Sequence, residues 1–166
     1  MAQVDCGFKD DGGHLASGLL VEIGPTLKVD LGFDATYNPD HPRRLAILPM
    51  QDAQALIDTG ATYSCIDADL AMQLELPIVD QQRYGGIGGE VELNIHLAQI
   101  RARSLNFTLH GRFAAVKLAA GGQRHTVLIG RDFLRHFQMH YDGLSGSVIL
   151  TDPSQPMPAP EDLFGA

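Results

Sequence analysis

An all-β fold, closed as a sandwich or a barrel, is what this sequence predicts, and three observations carry it. Apolar runs of strand length recur along the chain. Several alternate with period two, most plainly Val91, Leu93, Ile95 and Leu97 between Glu92, Asn94 and His96. Helical spacing is confined to one or two short stretches, while 18 glycines in 166 residues punctuate the rest. Many short strands with little helix is the pattern of sandwiches and barrels.

The elements follow in order. Met1 to Ser17 is rich in Gly and Asp with little periodicity, and reads as an N-terminal arm or loop (1–17). Gly18 to Ile23 is a short apolar run ended by Gly24-Pro25. Leu27, Val29, Leu31 and Phe33 share one face of a half-buried strand. Tyr37 to Pro42 is a loop, because a proline and its predecessor both resist regular structure. Leu45 to Leu48 is apolar again, and Ala53 leads into a buried strand ending at Ile57. Asp67 is placed to cap a short helix carrying Leu70, Ala71 and Leu74, which Pro77 ends. Ile78 to Tyr84 and the alternating run from Val91 make two strands around a glycine-rich tip. Leu105, Phe107 and Leu109, then Arg112 to Ala119, then Val127 to Ile129, read as further strands. Phe133, Leu134 and Phe137 share a helix face, and Met139–Tyr141 with Ser147–Leu150 make a terminal hairpin. One folded domain is expected over 18–150, followed by a Pro-rich C-terminal tail over 151–166.

Composition bounds the function. Hydrophobic residues at 45% fit a globular chain. A net charge of −8 without a basic cluster argues against nucleic acid as a partner. No apolar run approaches membrane-spanning length, and Met1 to Lys9 lacks the basic-then-apolar order of a signal peptide, so no membrane association and a cytoplasmic location are expected. Cys6 and Cys65 suggest no disulfide framework, although their pairing stays open. The seven histidines are scattered. His136 and His140 lie four apart, but Phe137 and Met139 between them mark a helix passing into a strand, so no metal and no cofactor are expected. Ser64 lacks a Gly-x-Ser-x-Gly setting.

The chemistry concentrates in Ala55 to Ile66. An apolar strand delivers Asp58 into the tight turn Asp58-Thr59-Gly60-Ala61-Thr62, and the chain then becomes apolar again. A carboxylate at the mouth of a core strand is costly unless hydrogen-bonded. Asp-Thr-Gly is also ordinary turn chemistry. Two further stretches change its weight. They are Tyr84-Gly85-Gly86-Ile87-Gly88-Gly89 between two strands, and Val127-Leu128-Ile129-Gly130-Arg131-Asp132 near the C-terminus.

Asp-Thr-Gly-Ala, Gly-Gly-Ile-Gly-Gly and an apolar run into Gly-Arg, in that order over roughly Ala53 to Leu150, resemble the retropepsins, the single-domain retroviral-type aspartic proteases and their bacterial and cellular relatives. The resemblance implies a closed β-barrel with a flap hairpin, working as a symmetric dimer. This chain holds one Asp-Thr-Gly, so two copies would each supply Asp58 about a two-fold axis. It implies Asp58 as the catalytic acid, Thr59 bonded across that axis and Gly60 contacting substrate. Substrate would lie along Ala61 and Thr62 and under the flap, Gly85, Gly86, Ile87, Gly88 and Gly89, with Tyr84 shaping the pocket. Arg131 would support the active-site loop. Retroviral enzymes usually carry an acid where this chain has Thr62, so Arg131 must find another partner. The expected activity is peptide-bond hydrolysis, with apolar side chains preferred at the cleaved bond. A peptide-binding or scaffold dimer on the same fold is the alternative, and a third is an enzyme blocked by its own termini.

Overall fold

The computed structural model describes residues 2–8, 14–40, 45–86 and 89–154. Its strands are β1 (Gln3–Asp5), β2 (Thr26–Gly32), β3 (Met50–Ile57), β4 (Cys65–Asp67), β5 (Ile78–Gly86), β6 (Gly89–Ala102), β7 (Phe107–Val116), β8 (Val127–Ile129), β9 (Gln138–Asp142) and β10 (Ser147–Thr151). Three helices join them: α1 (His14–Ile23), α2 (Ala68–Gln73) and α3 (Arg131–Leu134).

The main sheet runs β2-β3-β8-β4-β7-β6-β5, and β2 pairs again with β6 through Asp30 to Gly32. Six strands therefore close into a barrel, and β5 hangs from β6 as the outer arm of a hairpin. Among the described residues, closure leaves the main sheet one free edge, at β5. Leu27, Leu31, Ile66, Ile100, Phe113 and Ile129 fill the interior. Phe133 of α3 closes it from below, edge-on to Phe107, with ring centroids 5.1 Å apart.

Both faces of β6 are in use. Ala98, Ile100 and Ala102 point into the barrel, as does His96, whose Nδ1 lies 2.8 Å from the Leu76 carbonyl. The alternating residues Val91 and Ile95 belong to the opposite face. Asp30 and Gln99 are buried as well. Asp30 is offset by Arg101, whose Nη2 donates to it at 2.7 Å. Gln99 accepts from the Asp34 N–H at 2.7 Å.

Two expectations need correction. The segment 1–17 is not simply an arm or loop. Gln3–Asp5 is a strand paired antiparallel with β10, Val4 opposite Leu150, and helix α1 begins at His14 rather than the chain turning apolar at Gly18. Ala16 and Leu20, one helical turn apart, are the buried pair that docks it. It packs so closely on the last hairpin that a Cβ on Gly146 would meet the Ala16 carbonyl carbon at 2.6 Å, and Gly146 has φ +76°. The weak strand expected over Arg112 to Ala119 is one continuous β7 starting at Phe107. Cys6 and Cys65 are both free thiols, each buried. Of the tail, Asp152 to Ser154 is described, and 155–166 lies outside the described residues.

Candidate active site

Strand β3 runs parallel to β8, Ile57 level with Ile129, so Asp58 and Gly130 leave the sheet side by side. The Asp58 N–H donates to the Ile129 carbonyl at 2.9 Å, which extends the ladder one residue beyond the strand. Gly60 N–H turns back to Asp58 Oδ1 at 2.9 Å. A Cβ on Gly60 would sit 3.1 Å from that oxygen, so a glycine leaves the carboxylate its place. Asp58 itself is half-buried, with Thr59 and Gly60 exposed beside it.

The loop is then stitched to the start of α3. Arg131 N–H donates to the Ala61 carbonyl at 3.0 Å, and Asp132 N–H to the Thr62 carbonyl at 3.2 Å. The guanidinium of Arg131 gives Nη1 to the carbonyls of Thr59 at 2.8 Å and Gly60 at 3.0 Å, and Nη2 to the Thr62 hydroxyl at 2.9 Å. The missing acid thus has a physical answer. Thr62 supplies an oxygen, and two backbone carbonyls supply the rest. One planar cation holds three acceptors of one loop, which a lysine point charge does not match.

A second tie went unread in the sequence. Buried Ser64 donates its hydroxyl to Asp132 Oδ1 at 2.7 Å and accepts the Gly130 N–H at 3.0 Å. Asp132 Oδ1 also takes the Ser64 N–H at 2.9 Å. The available signal was an acid directly after Gly-Arg and a serine at the start of a strand, where neither belongs unless paired. Gly130 is required by contact, since a Cβ there would lie 2.6 Å from the Tyr63 carbonyl carbon. Beneath the acid, burial pushes the Cys65 thiol up to about 11. The Leu128 backbone opposes the shift, and the charges of Asp58 and Asp132 add to it. Cys65 is a packing residue, not a nucleophile.

Over this loop hangs the β5–β6 hairpin, paired down to Gly86 opposite Gly89. Gly85 is exposed and Gly89 has φ +105°. Ile87 and Gly88, the expected tip of the flap, lie outside the described residues. Between the hairpin and the loop is a cavity of about 270 Å³ lined by Tyr63, Gln82, Tyr84, Ile95, Arg112 and Ala114. Of the sequence-derived candidates, Asp58, Thr59, Gly60, Ala61, Thr62 and Arg131 come together around one turn. Tyr84 lines the cavity, and Gly85, Gly86 and Gly89 lie further along the hairpin, outside that lining.

The family model described as "gag-polyprotein putative aspartyl protease" matches residues 49–136, more than half the chain and all of the site just described. This chain belongs to the retroviral-type aspartyl protease family. Its closed barrel with an overhanging hairpin is the retropepsin-like fold. Among solved structures, the chain is similar to the EIAV protease complexed with the inhibitor HBY-793. The identity is 19% over 67% of this chain and 85% of that one, with a TM-score of 0.44. Comparison with curated proteins gave no match. Among the described residues no helix is long and apolar enough to cross a membrane.

Proposed function

We propose that this aspartyl protease family member is an aspartic endopeptidase whose catalytic centre is completed by a second copy of the chain. The observation that carries the reading is the treatment of Asp58. A single carboxylate is presented at the end of a core strand, fixed by one backbone N–H and backed by a loop that Arg131 holds at three points. Such pre-organisation suits a group that must meet a partner in a set geometry.

Two Asp58 carboxylates about 3 Å apart cannot both ionise, so the pair shares one proton. The ionised member takes a proton from a bound water, and the protonated member polarises the scissile carbonyl. Water then attacks directly, with no covalent enzyme intermediate. Thr59, exposed next to the acid, would bond to its twin across the two-fold axis. Ala61 and Thr62 with the hairpin glycines would offer backbone groups to a peptide bound as an added strand.

The second sheet supports the dimer. Its order is β1-β10-β9, so among the described residues β9 has a free edge. Met139 stands opposite Leu150 and Tyr141 opposite Val148, on the face those two bury. Yet Met139 is 40% exposed and Tyr141 52%. A second copy joined along β9 would pair the free backbone groups and cover that apolar face. Strand β1 already occupies the other edge of β10, so the second copy would join at β9.

The test is cleavage of a mixed-sequence peptide pool as protein concentration varies, alongside solution mass. Activity should rise with the dimer fraction. Asp58→Asn should lower kcat by about four orders of magnitude, the scale of losing a central catalytic group, while leaving the dimer intact. Cleavage at wild-type rate by that variant would end the reading.

A further inference from the structure

The cavity between hairpin and loop carries more polar structure than an apolar cleft needs. Register puts Asp80, Gln82 and Tyr84 of β5 on one face with Ile95 of β6, and Arg112 of β7 stands opposite Leu97 on that same face. Asp80, Gln82, Tyr84 and Arg112 form a hydrogen-bond chain that joins β5 to β7 over β6. The Tyr84 hydroxyl donates to Gln82 Oε1 at 2.9 Å, Gln82 Nε2 donates to Asp80 Oδ2 at 3.2 Å, and Arg112 Nη2 donates to the same oxygen at 2.6 Å. Asp80 Oδ1 takes the Gln81 N–H at 2.8 Å. Both oxygens of Asp80 are therefore engaged from within, and these bonds, the Gln82 amide first, hold its carboxyl below the usual range. Three donors already occupy the Asp80 carboxylate. The hydrogen-bond chain ends in a guanidinium that is 54% exposed and gives only Nη2 to Asp80, with Tyr63 beside it at 69% exposure.

We propose that Arg112 makes this cavity a subsite for an acidic side chain of the bound peptide. The inference rests on the protease reading for its substrate class and adds an acidic preference at this cavity to the apolar one expected at the cleaved bond. Asp80 and Gln82 orient the guanidinium, leaving its remaining N–H groups for a peptide carboxylate in the bidentate geometry arginine favours. Ile95 and Ala114 at the base suit the methylenes of a glutamate. The chain as a whole carries −8, so its overall field repels acidic peptides. A preference for Glu must then be local, which makes it readable by substitution.

The experiment uses full-length Asp58→Asn protein and fluorescent peptides amidated at the C-terminus, so that only a side chain supplies a carboxylate. Glu, Gln and Lys are scanned through each position, and binding is read by anisotropy. At one position Glu should bind about fivefold tighter than Lys, the scale of one exposed ion pair. Arg112→Met, which leaves the Asp80 carboxylate without its cation, should take that ratio to one or below, and Arg112→Glu should invert it further. A Glu-to-Lys ratio unmoved by both variants, or no peptide binding at all, overturns the subsite. Cleavage of the same peptides by wild type separates the two readings. Turnover without an Arg112-dependent ratio overturns the subsite and keeps the protease. An Arg112-dependent ratio without turnover keeps the subsite and overturns the protease.

Discussion

The loop at Asp58 and the stem of the overhanging hairpin wall the same cavity, but they are held in opposite ways. Every turn of the 58–64 loop is tied to a neighbouring element, by Arg131, by Asp132 through Ser64, and by the backbone of β8. Strand β5 is paired with β6 alone, and residues 81–85 are exposed. A catalytic carboxylate gains from being fixed before substrate arrives, whereas a lid must admit substrate and release product. The difference teaches that one barrel assigns rigidity and freedom to separate strands.

The contrast breaks first at Gly130. Its missing Cβ lets α3 start against the Tyr63 backbone, and the obstructing atoms are backbone, which cannot rotate away. Gly130→Ala should cost on the order of 4 kcal/mol, above the usual overpacking range, and abolish activity. Urea unfolding with a peptide assay reads both. Asp67 comes next. It caps α2 through Asp69 N–H and Leu70 N–H and takes Leu118 and Ala119 N–H on its other oxygen, joining β4 to the end of β7. Burial alone would raise its pKa, but the four backbone donors outweigh burial and hold it below the ordinary value. Its contribution is therefore present at pH above the unfolded carboxylate value, about 4, and lost as pH falls through the lower folded value. Asp67→Ala should cost about 3 kcal/mol at neutral pH, four backbone donors, two of them buried, losing their acceptor. Asp67→Asn should flatten the acid side of the stability curve.

Arg131→Lys probes the clamp more gently. The side chain is exposed, so the stability loss should be about 1 kcal/mol. kcat/KM should fall about tenfold, because the loop and not the fold depends on the fork. What could be read beforehand follows the same division. Asp58-Thr59-Gly60 and Gly130-Arg131 were legible because strand-to-turn chemistry needs particular residues at fixed places. The α2 cap at Asp67 was legible for the same reason. Ser64 and Asp132 were not, because their meaning lies in a contact between residues 68 apart in sequence. Helix α1 was hidden by Gly18 at its centre, which weakens the helical pattern. Strand β1 spans only three residues, too few to show a period. The burial of Asp30, His96 and Gln99 was unreadable, since each is satisfied by a partner on a distant strand or loop.

The smallest effect sharpens the comparison best. Gly85 lies in the exposed stem opposite Glu90, and a Cβ built on it meets nothing within 4 Å. Gly85→Ala should change stability by less than about 0.5 kcal/mol, and any gain would come from a less free unfolded chain. Its cost should fall on turnover instead. By register Gly85 faces away from Tyr84 and the cavity, so a methyl there leaves the peptide's path open. It restricts the backbone freedom of a stem proposed to move over substrate, and kcat should drop about threefold with the melting temperature nearly unchanged. Thermal melts and peptide kinetics on the same preparation decide it. A stability loss on the scale of Gly130→Ala would mean the stem is packed as tightly as the loop, and the division of labour between the two walls would not hold.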